Sequence, residues 1–325
     1  MSLLFESTPK TETSPHQSNF HTKMACGCAA FLVFSLIGSY LTSVPIQDVG
    51  KLALVLTVGI AMVCPLPIYW HEKGRKDMRD AALTIPWCIL LSLMLPIPVE
   101  AFARLDFPLQ DVRLAQIDHI FGVHIPNITR WASCHQLGKL ANRCYPLLIP
   151  LLPISFLLPA LTGRVKQAQR FLLSNLAAFV IGLPLFSLVP AIGPWYIYNT
   201  TPSAAQSLCQ SSLLGLRHPD SYTGATSGVV CFPSFHVIWA ILCAAALWTY
   251  KPLRVPITLL CGLIILSTMT TGWHYFVDVI AGAAVAILSI KVAILLTKDP
   301  NVVHAMKVNA PPPPAEGAAI VIENA

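Results

Sequence analysis

The chain has 325 residues, 55% of them hydrophobic and only 11% charged, with a mean hydropathy of +0.64 and a formal net charge of +6. A soluble domain carries roughly 25% charged residues, so this composition excludes an ordinary water-soluble globule and indicates a multi-span membrane protein. The basic excess is scattered through short inter-span loops rather than gathered in one patch, which excludes a nucleic-acid-binding face and leaves the bilayer as the expected partner.

Taken in chain order, residues 1–23 are polar and carry Lys10 and Lys23, the composition of a disordered cytoplasmic leader. Apolar runs near the roughly 20 residues that a spanning helix needs follow at 25–44, 52–70, 81–102, 145–161, 171–189, 235–250, 255–271 and 275–297. The expected fold is therefore an all-α polytopic membrane bundle of about eight transmembrane helices. No small-residue cleavage site follows the first run, which makes it an anchor rather than a cleaved signal. The fourth run carries Pro146, Pro150, Pro153 and Pro159, which kink a helix but are tolerated where neighbours satisfy the released carbonyls. Between 107 and 124, Val112, Ile117, Ile120, Phe121 and His124 recur near helical spacing among Asp106, Asp111 and Asp118, the pattern of an interfacial amphipathic helix. The tail 298–325, with Pro311 to Pro314, is of low complexity and is expected to be disordered and cytoplasmic.

Basic residues set the orientation. Lys73, Arg75, Lys76 and Arg79 lie between spans two and three, Arg164, Lys166 and Arg170 between four and five, and Lys251 and Arg254 between six and seven. The positive-inside rule makes that side cytoplasmic. Both termini are then inside, and the long connections 103–144 and 190–234 face outward.

This topology puts His236, in CFPSFHVIWA, at the outer end of span six, and His274 and Asp278, in TGWHYFVDVIAG, at the outer end of span eight. Four residues separate His274 from Asp278, so both lie on one helix face and the carboxylate can orient the imidazole. Charges within a membrane are costly and by default functional. A single histidine near an interface is more often a satisfied polar residue, and His71, His119, His124, His135, His218 and His304 belong in that class. Pro-Ser-x-His opening one span and His-x-x-x-Asp opening another on the same side form a joint pattern that points to chemistry.

Pro233-Ser234-Phe235-His236 resembles the second signature of the type 2 phosphatidic acid phosphatase superfamily, and Ser267 through His274 to Asp278 resembles its third, Ser-Arg-x5-His-x3-Asp. Phe232-Pro233-Ser234-Phe235-His236 and Gly272-Trp273-His274-Tyr275 are closest to the branch holding inositol phosphorylceramide synthase. The resemblance covers about 80–297 and implies a six-helix catalytic core over 81–297, preceded by two extra transmembrane helices within 24–80. It implies that His274 is the nucleophile that becomes phosphohistidine, that Asp278 orients it, and that His236 protonates the leaving oxygen. The two rings must then differ in protonation, which implies a bell-shaped pH profile. A lipid phosphate is the implied substrate, with no cofactor and no metal, and the site on the periplasmic side of a bacterial inner membrane.

Two departures stand out. The superfamily's Lys-x6-Arg-Pro is absent from the end of span five, where the chain reads Leu188-Val189-Pro190-Ala191-Ile192-Gly193-Pro194-Trp195-Tyr196, and Thr268 replaces the arginine of the third signature. Other groups must hold the phosphate. The amides opening span six beside Ser234 and Phe235 are one candidate, and the guanidinium of Arg217 is another, set against its being a solvated loop residue. Trp195 and Tyr196 either line the lipid entrance or belong to an interfacial aromatic belt.

Most of the ten cysteines sit in spans as small apolar residues. Cys209 and Cys231 both lie on the outer side, where a disulfide could close the loop before the motif. No internal repeat, P-loop, Rossmann glycine pattern or convincing metal cluster occurs. Two rival classes are an intramembrane serine hydrolase using Ser234 with His274, weakened by the absence of a Gly-x-Ser-x-Gly elbow, and a transporter with a His/Asp proton relay, which would place such groups nearer the midplane.

Overall fold

The computed structural model describes residues 15–41, 49–94, 96–217 and 230–297. The leader up to residue 14 and the tail from 298 lie outside the described residues. The helices are α1 (Pro15–Leu41), α2 (Val49–Val63), α3 (Pro65–Glu72), α4 (Lys76–Met94), α5 (Pro96–Ala103), α6 (Asp111–Ile120), α7 (Ile125–Cys134), α8 (Gln136–Cys144), α9 (Leu148–Leu161), α10 (Val165–Leu188), α11 (Pro194–Ile197), α12 (Ala204–Arg217), α13 (Phe235–Leu247), α14 (Arg254–Thr270) and α15 (Phe276–Leu296). No strand occurs among the described residues, and the chain is an all-α polytopic membrane bundle. In lipid every backbone polar group must be satisfied within its own segment, which is why an apolar chain of this length folds as helices.

Among the described residues six helical stretches are long and apolar enough to cross a membrane: Asn19–Gly38, Lys76–Ala103, Gln136–Leu161, Val165–Leu188, Lys251–Thr270 and Phe276–Leu296. The other two expected spans differ. The run 52–70 divides at Cys64 into α2 and α3, where Pro65 starts a new helix. The run 235–250 forms α13, 13 residues long and about 20 Å at 1.5 Å per residue. The fourth span begins at Gln136 rather than 145, because α8 and a 3-10 turn at Tyr145–Leu147 continue into α9. Helix α1 starts at Pro15, inside the stretch expected to be an unfolded leader. Phe20, Met24, Cys28 and Phe31 on it are buried in the common core, so α1 is part of the bundle.

Short α13 is the centre of the bundle. It packs against α9, α10, α14 and α15 and buries residues all round, as a helix without a polar face must. Its neighbours run so that the basic loops collect at one end. Arg164 Nη1 donates to the Thr249 carbonyl (2.8 Å), Arg170 Nε to Thr297 Oγ1 (2.9 Å) and Lys23 Nζ to the Leu296 carbonyl. The starts of α13 and α15 and the end of α14 meet at the other end.

Two contacts set how closely α13 and α15 approach there. The Ser234 amide donates to the Asp278 carbonyl (3.2 Å), and Gly282 lies against the Ser234 carbonyl so tightly that a Cβ on it would sit 2.7 Å from that oxygen. Gly282→Val is therefore expected to force the two helices apart and cost about 1–3 kcal/mol, the usual range for overpacking. Thermal melting in detergent checks this, with Gly262→Ala as the control that loses nothing, since a Cβ at Gly262 has no neighbour within 4 Å.

Candidate active site

His236 is the second residue of α13, and His274 sits in the turn between α14 and α15. That turn is made by Gly272 at φ 75° and by the Trp273 and His274 amides, which both donate to the Thr268 carbonyl (3.1 Å each). The two imidazoles face one another with centroids 6.1 Å apart. Both can therefore reach one phosphate, one ring at an attack distance of about 3–3.5 Å and the other within hydrogen-bond reach of a leaving oxygen.

Asp278, fully buried one turn into α15, places Oδ2 3.4 Å from His274 Nδ1. The angle is not that of a hydrogen bond, and neither His274 Nδ1 nor Asp278 Oδ1 has a hydrogen-bond partner. Oδ2 instead accepts from the Tyr275 amide (2.9 Å) and from Cys231 Sγ (3.3 Å). The carboxylate thus stands beside the ring while its main bonds hold the start of α15. Burial lowers the pKa of His274 to about 4, against the opposing pull of the Cys231 backbone carbonyl, so the ring is neutral at pH 7.

Ser234 caps α13. Its Oγ accepts from the Val237 amide (3.4 Å), the usual way a serine satisfies a first-turn donor. Among the described residues the amides of Phe235 and His236 donate to no protein acceptor, so two N–H groups remain at the positive end of the helix beside the histidine pair. His236 stacks on Tyr145 (4.4 Å, 16°). Tyr145 stacks on Trp273 (6.3 Å, 7°), and Trp273 meets Trp195 edge-on (5.4 Å, 80°). Trp195 is buried, with Nε1 donating to Gln210 Oε1 (3.1 Å), and so joins the wall of the site.

Several sequence expectations are corrected. Phe235 does not face the histidines: its ring packs on Phe179 (5.7 Å) and Trp239 (5.4 Å) in the space left by Gly182, where a Cβ would lie 2.9 Å from the ring. Tyr196 is exposed, and no described contact joins it to the pair. Arg217 is not a solvated loop residue: Nη2 donates to the Phe107 carbonyl (3.0 Å) and Nη1 pairs with Asp106 (3.4 Å), while Nε is buried without a hydrogen-bond partner. Thr268, which stands where the signature has arginine, turns its hydroxyl to the Ile265 carbonyl (2.7 Å). No disulfide joins Cys209 to Cys231; the Cys231 thiol lies on Asp278. The sequence shows no metal cluster, whereas the fold brings the donor atoms of Cys231, His274 and Asp278 within 4.8 Å of one another.

Helix α6 buries its two acids together with Leu114 and Ala115. Asp111 and Asp118 are buried, while Val112, Ile120 and Phe121 are exposed. Asp118 accepts from the Phe276 (2.8 Å) and Val277 (3.0 Å) amides, the unpaired donors that open α15. Asp111 accepts from the Ile192 amide (3.1 Å), the Gly193 amide (2.9 Å) and the Tyr275 hydroxyl (2.9 Å). Burial pushes both carboxyl pKa values up, and the amide bonds pull them back. These residues hold the backbone that follows His274 and tie it to the segment at Ile192–Gly193. Their spacing was the available signal: seven residues make about two turns, so both acids share one face.

The structure defines a multi-pass membrane helix bundle with a histidine pair at one rim, His274 buried and backed by a carboxylate and His236 partly exposed. A family model described as PAP2 superfamily matches residues 112–292, more than half of the chain, and the chain belongs to that superfamily. Membership supports phosphoryl transfer on phosphate esters, by a phosphatase or phosphotransferase. No curated protein and no solved structure matches the chain.

Asp118→Ala leaves two buried amides without an acceptor, at a cost of about 1–3 kcal/mol each in the usual range. Turnover is expected to fall at least about tenfold, the equivalent of 1.4 kcal/mol on the barrier, with KM little changed. Arg217→Ala should lower the melting temperature and leave turnover unchanged. Steady-state kinetics and melting curves on the two variants check both.

Proposed function

We propose that the protein transfers a phosphoryl group from a membrane lipid phosphate through a phosphohistidine on His274, acting on the outer, periplasmic side of the membrane. The 6.1 Å approach of the two imidazoles, with Asp278 beside only one of them, carries this proposal. His274 Nδ1 faces the carboxylate and Nε2 attacks phosphorus. The P–O bond to the lipid breaks, and the leaving oxygen takes the proton of His236. In the second step His236 takes a proton from the acceptor, whose oxygen displaces His274 from phosphorus and returns the ring to its neutral form.

With Thr268 and Arg217 otherwise engaged, the amides of Phe235 and His236 and the positive end of α13 stabilise the charge that develops on the phosphoryl oxygens. Oriented amides cost no reorganisation at the moment of reaction, which suits a site with few cations. The aromatic wall of Tyr145, Trp273 and Trp195 forms the side along which an acyl chain or headgroup lies. The likeness of Phe232–His236 and Gly272–Tyr275 to inositol phosphorylceramide synthase favours a lipid hydroxyl as acceptor, which makes the protein a phosphotransferase of that kind; with water as acceptor it is a lipid phosphatase.

The rival classes fit less well. Ser234 Oγ is bound to its own helix as a cap, which does not suit a hydrolase nucleophile. The histidine pair stands at one end of α13 and α15, whereas a proton relay for transport would sit near the midplane.

Purified protein given labelled phosphatidic acid, polyprenyl diphosphate, or phosphatidylinositol with ceramide, all with EDTA present, is expected to consume a lipid phosphate, and the products identify the acceptor. His274→Ala and His236→Ala should each lower turnover by about two to four orders of magnitude, as expected for loss of a group acting in proton transfer or attack. The pH profile should be bell-shaped. The acid limb appears as His274 is protonated near pH 4; burial and the neighbouring His274 lower His236 as well, so the alkaline limb belongs to the enzyme–substrate complex, where the bound phosphate anion holds on His236 the proton it must donate. Wild-type turnover in both histidine variants would contradict the proposal.

A further inference from the structure

Cys231 lies outside the reaction just described, yet its thiol is buried against the carboxylate that serves the nucleophile. Three donor atoms of different kinds meet there: Cys231 Sγ, a His274 ring nitrogen and an Asp278 oxygen, all within 4.8 Å of one another. Two of the donors carry unsatisfied groups, since His274 Nδ1 and Asp278 Oδ1 are buried without a hydrogen-bond partner. Buried polar atoms normally find partners, so an orphaned ring nitrogen beside a thiol and a carboxylate suggests a ligand that completes it.

The spacing selects the ligand. Zinc binds sulfur at about 2.3 Å, nitrogen at about 2.0–2.1 Å and oxygen at about 2.0–2.2 Å, so the edges of its tetrahedron are about 3.4–3.6 Å. Two edges are already close to that length: Nδ1 to Oδ2 is 3.4 Å and Sγ to Oδ2 is 3.3 Å. A dipositive ion with one thiolate and one carboxylate is neutral overall, which suits a site where net charge is costly. A sulfur donor disfavours magnesium and calcium, which take oxygen ligands.

We infer that Cys231, His274 and Asp278 form a binding site for a thiophilic divalent cation of the zinc type, which switches off the nucleophilic histidine. On binding, the Cys231 thiol becomes a thiolate and its proton leaves to water. His274 gives its Nδ1 lone pair to the metal, so its one ring proton resides on Nε2. That nitrogen then has no lone pair with which to attack phosphorus. The fourth position of the tetrahedron is left for water. The cation acts as an inhibitor, and the site differs from a catalytic zinc centre because the metal occupies the side of the ring away from the attacking nitrogen. The switching rests on His274 being the nucleophile; the binding does not.

Cobalt(II) titration of the purified full-length protein tests the binding. The wild type is expected to take up one equivalent, with the visible bands of four-coordinate cobalt and a near-ultraviolet thiolate-to-cobalt band that Zn2+ removes. Cys231→Ser should lose the thiolate band. X-ray absorption on zinc-loaded wild type should show one sulfur at about 2.3 Å, a result independent of how any variant folds. A shell without sulfur, no saturable uptake, or a thiolate band that persists in Cys231→Ser would overturn the site. For the switch, Zn2+ should lower kcat in the wild type with KM little changed, and Cys231→Ser should need at least tenfold more Zn2+ for the same loss. Saturable zinc binding with unchanged turnover would overturn the switch alone and leave the metal site standing.

Discussion

The beginning of a helix presents N–H groups that the helix itself cannot satisfy, and within a membrane protein water does not readily supply the acceptor. The architecture around the histidine pair follows from how this chain meets that requirement at two neighbouring helices. At α15 the donors go to carboxylates: the Tyr275 amide to Asp278, and the Phe276 and Val277 amides to Asp118 reaching across from α6. At α13 one donor goes to the Ser234 hydroxyl and another to the Asp278 carbonyl, while those of Phe235 and His236 are left beside the site. The close approach at Gly282 then holds the two helix starts together, and with them the two imidazoles.

This division assigns each end a task. At the start of α15 carboxyl oxygens accept the free amides, so that end is satisfied and serves to fix His274. The start of α13 is uncompensated, so its positive end is free for an anion. In the proposed reaction a phosphate entering between the rings meets amides on one side and the neutral His274 on the other. Aromatic stacking from His236 through Tyr145 to Trp273 and Trp195 keeps the acid-side ring in one plane without a second carboxylate.

The helical class, the multi-span nature and the meeting of His236, His274 and Asp278 at one rim were legible in the sequence, because apolar run length and loop charge are local properties; the shared helix face was not, since His274 stands in the turn before α15. Other features were not local. Phe235 adjoins the motif and was grouped with it, but which way a ring turns depends on Gly182, more than fifty positions earlier in the chain. Arg217 had the right charge on the right side, and only the fold shows it held by Asp106 and Phe107. Helix α6 was read as interfacial from its apolar residues, and the role of its acids was not visible because the amides that need them belong to residues 192–193 and 276–277. Cys231 looked like half of a disulfide for the same reason: its partner, Asp278, lies 47 residues away.

The central claim is that His274 itself carries the phosphoryl group between donor and acceptor. Its most direct test is rapid quenching at alkaline pH, where phosphohistidine survives, after adding a 32P-labelled lipid phosphate, followed by peptide mapping by mass spectrometry. The account predicts a label on the peptide containing His274 that is lost in acid and absent from His274→Ala. Label on Ser234 or on His236, or turnover with no covalent label on the protein at any time, would contradict it.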